Sequence, residues 1–321
     1  MRMNGNKSTK WKKALLVTVL FAGCIGILAQ VIGSRNVYAA TVTAARETFQ
    51  TPAEAGSALA EAAKSGDQAA LSQILGGDAN ALLTTGDAQT DQAATELFAA
   101  KYQQMNRWVE MTDGSRVLYI GADNFAFPVP LAKDPAGQWY FDIVAGTQEV
   151  RARDIGRNEL LAIDACIDLA NAEEAYFTIH NTGEYAQHLI STSGKHDGLY
   201  WPSSAAQAPS LLGQLGEFPK SSQASTAKGA EQLVSDGYTL RILTAQGKDA
   251  PGGTQNFVVN GKMVRGFAIL ATPVKYGETG VMTFVMSNNG IVYERNLGHD
   301  TIKLAAAITE YSPDLNWSPV Q

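Results

Sequence analysis

Apolar residues between positions 51 and 105 recur at the three- and four-residue spacing of amphipathic helices. Thr51–Glu54 combines a capping threonine, a first-turn proline and a glutamate three residues after the cap, which is a typical helix start. Gly66-Asp67 ends this first helix and begins a second helix that runs to Leu75. With a third helix over Asp91–Met105, the pattern predicts three helices in this region.

The pattern changes to that of β-strands at Trp108. Strands are predicted at residues 108–111, 116–120 and 138–143, where β-branched and aromatic residues cluster between turn signals. Phe125–Leu131 contains two prolines, so it can form only an edge or irregular strand. Helices followed by a series of antiparallel strands predict an α+β fold.

A second region begins near Arg151. The spacing predicts a long amphipathic helix over Arg157–Phe177, followed by antiparallel strands from Tyr238 onward, with Asn260-Gly261 as a hairpin turn. Residues 203–235 are rich in Ser, Ala, Gln and Gly, which predicts a solvated loop insertion. The predicted buried stripe of the helix consists of Leu160, Ile163, Ile167, Ala170 and Phe177.

The first 39 residues have the features of an export signal. Five basic residues precede an apolar run over Ala14–Gly33, and Val37-Tyr38-Ala39 has the small residues of a cleavage site. The run is long enough for an uncleaved membrane anchor, and lipidation at Cys24 is a third alternative. We therefore expect a periplasmic or secreted protein, with a signal at 1–39 and domains at 40–150 and 151–321.

Charge narrows the choice of partners. The chain has a formal net charge of −6, and the first 39 residues hold six of its 25 Lys/Arg but none of its 31 Asp/Glu. Their removal leaves 19 bases against 31 acids, a formal charge of −12. Such a body is repelled by phosphate backbones and anionic lipid heads. We expect an envelope protein as partner, no nucleic acid, and membrane contact only through a retained N-terminal segment.

Chemistry-bearing residues form no recognisable catalytic pattern. Cys166 is the only cysteine after the leader, so no internal disulfide can form, and its apolar surroundings predict a buried thiol. His180, Glu184 and His188 have a four-residue spacing that would suit a metal, but Asn181–Gly183 interrupts the helix, so we expect surface histidines. No nucleophile elbow or phosphate loop is present, and we predict no cofactor and no metal site.

Aromatic residues supply two candidate binding surfaces. Asp197, Tyr200 and Trp201 form a possible interaction surface, although these aromatics can equally pin a loop onto a sheet. In the first domain an apolar pocket is the alternative to core packing. Its possible lining residues are Trp108, Phe125, Trp139 and Tyr140.

Several motifs resemble the bacterial DUF2950 family: Ile155–Leu160, Asp197–Pro202, Arg241–Gly247, Ala250–Gly253 and Gly280–Val285. The resemblance spans nearly all of the chain after the leader. It implies an exported protein and assigns no catalytic residues.

Two further resemblances concern the fold of each domain. The order of elements in 40–150 is similar to the cone-shaped NTF2-like fold. Residues 151–321 resemble the globular head of a type IV pilin or pseudopilin, with a long helix, Tyr185-Ala186 and then an antiparallel sheet. Unlike a pilin, the chain has no hydrophobic stem joined directly to Asn158, so only the head fold is implied.

We therefore expect a non-enzymatic assembly or interaction module. The alternative is a small-molecule binder or enzyme that uses a pocket in the first domain. Asp123, Tyr140 or Asp142 pointing into a deep cone would favour the alternative, whereas a cone filled by its own side chains would favour the interaction module.

Overall fold

The computed structural model describes residues 46–77, 79–179, 183–192, 195, 197–201, 210–214, 223–227 and 230–320. The predicted leader, Cys24, His180 and His196 lie outside these residues. The contacts divide the chain into two units, which meet in sequence between Val150 and Arg151. Across the described part of the chain, no helix combines the length and the apolar character needed to cross a membrane.

Unit 1 begins with four helices: α1 (Pro52–Ser65), α2 (Gln68–Leu75), α3 (Asn80–Leu83) and α4 (Ala88–Gln104). The predicted capping box is confirmed at α1. Thr51 accepts the Glu54 amide while the Glu54 carboxylate accepts the Thr51 amide. Asp67 and Asp87 cap α2 and α4 by accepting backbone amides, without the reciprocal glutamate bond, so local side-chain chemistry determines three helix starts.

A small antiparallel sheet follows the helices of unit 1. Its strands are β1 (Asn106–Glu110), β2 (Arg116–Ile120), β3 (Phe125–Ala126), β4 (Leu131–Lys133) and β5 (Trp139–Phe141). The order is β1-β2-β4-β5, and β3 pairs with β2. The apolar sides of the helices and the sheet form one core.

The long helix α5 (Ile143–Ile179) begins 14 residues before the predicted start at Arg157. Asp142 explains the early start, because its Oδ1 accepts the amides of Val144 and Ala145 at 3.1 and 3.0 Å. Residues 143–150 of this helix belong to unit 1 and residues 151–179 to unit 2.

The predicted buried stripe of this helix is confirmed only in part, because Ala170 is buried and Ile163 packs against the core, while two other positions are exposed. Leu160 and Ile167 are 49% and 41% exposed, while the buried side is built from Ala162, Cys166 and Leu169. Two of these three buried residues are small, so side-chain size alone does not identify the inner face of α5.

Unit 2 contains one large sheet and three two-stranded pairs. The large sheet is antiparallel in the order β18-β17-β16-β15-β10-β9-β8. The pairs are β6-β7, which is parallel, and the antiparallel β11-β12 and β13-β14. The elements, with two short helices, are β6 (His188–Ile190), β7 (Gly198–Tyr200), α6 (Leu211–Gln214), β8 (Gln223–Ala227), β9 (Ala230–Ser235), β10 (Tyr238–Leu243), β11 (Ala245–Gln246), β12 (Gln255–Asn256), β13 (Val258–Val259), β14 (Lys262–Met263), β15 (Ala268–Pro273), β16 (Met282–Ser287), β17 (Val292–Asn296), α7 (Thr301–Ala307) and β18 (Ser318–Pro319).

The described part of residues 203–235 corrects the predicted loop insertion. Two of its segments are strands β8 and β9 of the large sheet, and Leu211, Leu212 and Leu233 are buried in the core. Strand formation here depends on pairing with β10, which a local composition of Ser, Ala and Gln does not indicate.

The large sheet carries helices on both faces. Directly paired residues point to the same face, so Leu240, Ala271 and Phe284 share one side with Tyr238, which lies beside Glu159 of α5. The other side carries α7, to which Arg241 donates hydrogen bonds. Helices and antiparallel sheets in both units confirm the α+β class.

Candidate functional site

A half-open cleft of about 350 Å³ lies in unit 2, on the α7 side of the large sheet. This volume is at the lower end of the range for small-molecule sites. The lining comes from β16, β17, α7 and the C-terminal segment: Val285, Arg295, Leu297, Leu304, Ala307, Ile308, Thr309, Glu310, Ser312, Asp314 and Trp317.

Strand register places the floor of the cleft. Val285 pairs with Tyr293, and Thr283 pairs with Arg295, so all four residues point to the α7 face. Val285 is buried, whereas Arg295 reaches the cleft from β17, the strand next to the edge strand β18. The cleft therefore has an apolar floor with a cation beside it.

Arg241 fixes one wall of the cleft. Its guanidinium donates to the carbonyl oxygen of Ala305 at 2.7 Å and to that of Ile308. These carbonyls lie at the C-terminal end of α7, where helix carbonyls lack partners within the helix. The contacts hold Leu304 and Ile308 at the cleft, and burial lowers the pKa of Arg241.

Arg295 is the incompletely paired cation of the cleft. Its Nη1 lies 3.7 Å from Oδ1 of Asp314, beyond hydrogen-bonding distance, and the guanidinium makes no hydrogen bond to the residues that the structure describes. Asp314 instead accepts the Asn316 amide at 2.9 Å, and this hydrogen bond is the main cause of its lowered pKa. Arg295 thus keeps donors available for a hydrogen-bond acceptor that enters the cleft.

Apolar side chains surround the opening of the cleft. Trp317 is half-buried in the lining, Leu304 is exposed, and Leu315 is fully exposed on the neighbouring turn. Clustered exposed apolar residues of this kind mark interaction sites more often than isolated ones do.

The predicted interaction surface at Asp197, Tyr200 and Trp201 does not form as expected. Trp201 is only 7% exposed and belongs to the core of unit 2, whereas Tyr200 is exposed. Only one of the two rings is therefore exposed at the surface. Oδ1 of Asp197 accepts the Thr192 amide at 2.7 Å and so stabilises the loop.

The predicted pocket in unit 1 is also corrected. Trp139 and Tyr140 are neighbours on β5 and point to opposite faces, so they cannot line one pocket. Trp139 lies in the core, while the Arg46 guanidinium stacks 3.3 Å from the centroid of the Tyr140 ring. Trp108 packs against the same core, and Phe125 is half-buried beneath the Lys101 ammonium group.

Aromatic rings fill the interior of unit 1. The Phe127 ring packs against Phe98 and Phe141 with centroid separations of 5.1 and 6.2 Å. Asp123 pairs with Lys101 at 2.5 Å, and Asp142 caps α5, so neither carboxylate points into a cavity. The space between the helices and the sheet of unit 1 is thus occupied by the unit's own side chains.

Two further predicted positions are now placed. Cys166 is fully buried as expected, and burial raises the pKa of its thiol to about 12, so it is not a reactive thiolate at neutral pH. Glu184 forms an ion pair with Lys262. No cluster of metal-ligating side chains occurs in the described ranges, and His180 lies outside them.

The comparisons with known proteins decide the family. Residues 46–320 match the sequence pattern of the family described as "Protein of unknown function (DUF2950)". The chain belongs to the DUF2950 family. No curated protein and no solved structure matches it.

Hydrogen bonds in this DUF2950 protein join two of the motifs that carry the resemblance. Oε1 of Glu159 accepts the backbone amides of Val281 and Met282 at 2.8 and 2.9 Å, and Nδ2 of the Asn158 side chain donates to the Thr279 carbonyl at 3.0 Å. Ile155–Leu160 therefore clamps Gly280–Val285, so these polar residues hold the fold together.

A third and a fourth motif of the DUF2950 protein meet in the same way. Nε2 of Gln246 donates to the carbonyl oxygens of Pro251 and Gly253 at 3.0 and 2.7 Å. This amide fixes the Ala250–Gly253 turn, in which both glycines have positive φ.

The cleft was not predicted from the sequence of this DUF2950 protein. Its residues come from β16, β17, α7 and the segment after α7, and local spacing does not bring them together. One residue could have indicated the cleft from the sequence. Trp317 is a large aromatic side chain in a terminal stretch that otherwise contains Pro, Asn and Ser.

Proposed function

We propose that this protein is an exported, non-enzymatic interaction module whose binding surface is the cleft in unit 2. The observation that carries the proposal is the combination of Trp317, Leu304 and the incompletely paired Arg295 around one opening. Tryptophan and arginine are the side chains most often responsible for binding energy at protein interfaces.

The use of polar groups elsewhere supports binding over catalysis. Glu159, Asn158 and Gln246 stabilise the backbone, and the Cys166 thiol is buried away from solvent. A catalytic centre needs a nucleophile or acid–base group in reach of a substrate. The three polar side chains named above instead form hydrogen bonds with backbone groups of unit 2.

The chemistry of the cleft defines the partner that it fits. An apolar side chain of a partner protein would pack against Trp317 and Leu304. A carboxylate or carbonyl oxygen beside that side chain would accept hydrogen bonds from Arg295. Because the body is strongly acidic, basic residues around this segment of the partner would speed association.

We expect Trp317→Ala and Arg295→Ala each to weaken partner capture at least about tenfold, since truncation of an interface anchor typically costs about 2 kcal/mol or more. The measurement is quantitative mass spectrometry of proteins captured from envelope extracts by the chain that begins at Ala40. Leu97→Ala is the matched control, because it truncates an exposed leucine of unit 1. Capture that neither cleft variant reduces would contradict the proposal.

The second candidate is a small-molecule binder that uses the same cleft. Its volume of about 350 Å³ favours this reading, because a small apolar molecule with one acceptor group fits such a space. Native mass spectrometry of the purified chain distinguishes the two. A copurifying small molecule that Trp317→Ala releases would support the binder.

Export is proposed from the leader at residues 1–39. We expect the purified protein to begin at Ala40, because cleavage follows Val37-Tyr38-Ala39. N-terminal sequencing and intact mass of the protein from envelope fractions check this. A start at Met1 would show a retained anchor, and a lipid-modified Cys24 would show the lipoprotein alternative.

We further propose that unit 1 has an NTF2-like fold and unit 2 a pilin-head-like fold. Helices before an antiparallel sheet support the first proposal, and a long helix before an antiparallel sheet supports the second. A crystal structure of the chain tests both, and a unit 1 sheet that does not curve around α4 would contradict the first.

A further inference from the structure

Glu173 of α5 is a buried acid that the proposed function does not use. The residue is 0% exposed. Its Oε2 accepts the amide of Ala186 at 2.8 Å, while its Oε1 has no hydrogen-bond partner. A glutamate is almost never fully buried unless it is paired, so this carboxyl group requires an explanation.

The Ala186 contact joins α5 to the chain that returns from it. Residues 183–187, here called the return segment, carry Ala186 into the core of unit 2. The Tyr185 amide donates to the Met263 carbonyl at 2.7 Å, and the Tyr185 ring packs on Phe267 with a centroid separation of 5.1 Å. The return segment therefore contributes to keeping water away from the Glu173 carboxyl.

The charges near Glu173 disfavour its ionised form. Glu174 follows it on α5 and accepts the Tyr185 hydroxyl at 3.4 Å. Two neighbouring groups interact electrostatically with Glu173 itself: Tyr176 on α5 and Tyr185 on the return segment. The other groups of this region that titrate or carry charge are Glu184 on the return segment, His188 on β6, Asp197 before β7 and Lys262 on β14. The Lys262 ammonium is paired with Glu184, and no described cation forms an ion pair with Glu173.

We propose that Glu173 is a proton-controlled latch, which holds the return segment closed when its carboxyl group is neutral and releases it when the carboxyl group ionises. A neutral carboxyl group needs little hydration and still accepts the Ala186 amide. An ionised one is left in an apolar core with a single hydrogen bond, which is costly. Opening of the return segment hydrates the carboxylate and removes that cost.

The direction of the pH response follows from linkage. Burial raises the pKa of Glu173 well above its ordinary 4.5; the Ala186 amide opposes this rise and the Glu174 carboxylate adds to it. The closed state thus binds a proton that the open state has lost. Closure is fully stabilised below pH 4.5 and weakens as pH rises toward the closed-state pKa, about tenfold per pH unit.

Hydrogen exchange at the Ala186 amide tests the latch. In the chain that begins at Ala40, we expect its protection factor to fall by up to about tenfold per unit from pH 5 upward. Glu173→Gln keeps an acceptor without charge and should make the protection factor independent of pH. Glu174→Gln, which changes the neighbouring exposed acid, should preserve the fall.

Two further measurements, exchange at a distant amide and infrared titration of the carboxyl group, distinguish a local latch from the alternatives. The Gly247 amide, which donates to the Tyr311 carbonyl, reports whether the change is global. A parallel fall at Gly247 in the unmodified protein would overturn a local latch. So would an unchanged pH response in Glu173→Gln. An isotope-edited infrared titration that shows the Glu173 carboxyl ionising near its ordinary pKa would overturn the proposal without any variant.

Discussion

Glu159→Ala is expected to lower the free energy of unfolding of unit 2 by about 2–4 kcal/mol, because it removes an acceptor shared by two backbone amides. The amides of Val281 and Met282 then lose a charge-assisted hydrogen bond where the chain enters β16. Alanine cannot replace either bond. Differential scanning calorimetry of the chain that begins at Ala40 measures the loss, at roughly 2–4 °C per kcal/mol for a unit of this size.

Two matched variants separate the clamp from a general effect of charge. Glu159→Gln retains a side-chain oxygen and should lose only part of the stability. Asp164→Ala removes an exposed carboxylate from the same helix and should change the stability by less than about 0.5 kcal/mol. If the alanine variants at 159 and 164 were equally stable, the Glu159 clamp would be wrong.

Elements with local capping or turn chemistry could be predicted from the sequence. The box at Thr51 and Glu54 starts α1, and Asn260-Gly261 joins β13 to β14 with both residues at positive φ. In each case neighbouring residues supply the hydrogen bond or the backbone conformation that determines the structure. Such features do not depend on which other element packs nearby.

Elements that depend on tertiary pairing could not be predicted in the same way. Strands β8 and β9 exist because β10 pairs with β9, although their residues are mostly polar. The inner face of α5 is determined by the core of unit 2 against which it packs, so Cys166 is buried while Leu160 is exposed. Composition and helical periodicity describe only the local sequence, so they do not indicate which strand pairs with β9 or which side of α5 packs against the core.

The candidate cleft illustrates the same limit for function. Arg295 and Trp317 are 22 positions apart in sequence, and they line one opening because the segment before β18 runs beside β17. The aromatic clusters that do stand out in the sequence are used for packing instead, as Trp201 and Trp139 show. Chemistry that is assembled from distant strands becomes visible only in three dimensions.

Gly280→Ala should be among the most destabilising single-methyl changes in unit 2, at about 3 kcal/mol. A Cβ at residue 280 would overlap the Tyr238 hydroxyl and lie 2.5 Å from the Cζ atom of that ring. Tyr238 is fully buried, its hydroxyl donates to the Met282 carbonyl at 2.8 Å, and its ring packs on Phe284. The ring therefore has no free volume into which it can move.

Gly156→Ala is the matched control and should have the opposite sign. Gly156 lies inside α5, and a Cβ there would meet no atom within 4 Å. Alanine in a helix interior is more stable than glycine by about 0.5–1 kcal/mol, so this variant should melt at a higher temperature. Calorimetry of both variants should give shifts of opposite direction. A destabilised Gly156→Ala would show that the helix surface near this residue is covered, and an unchanged Gly280→Ala would show that Tyr238 is not held in place as its contacts require.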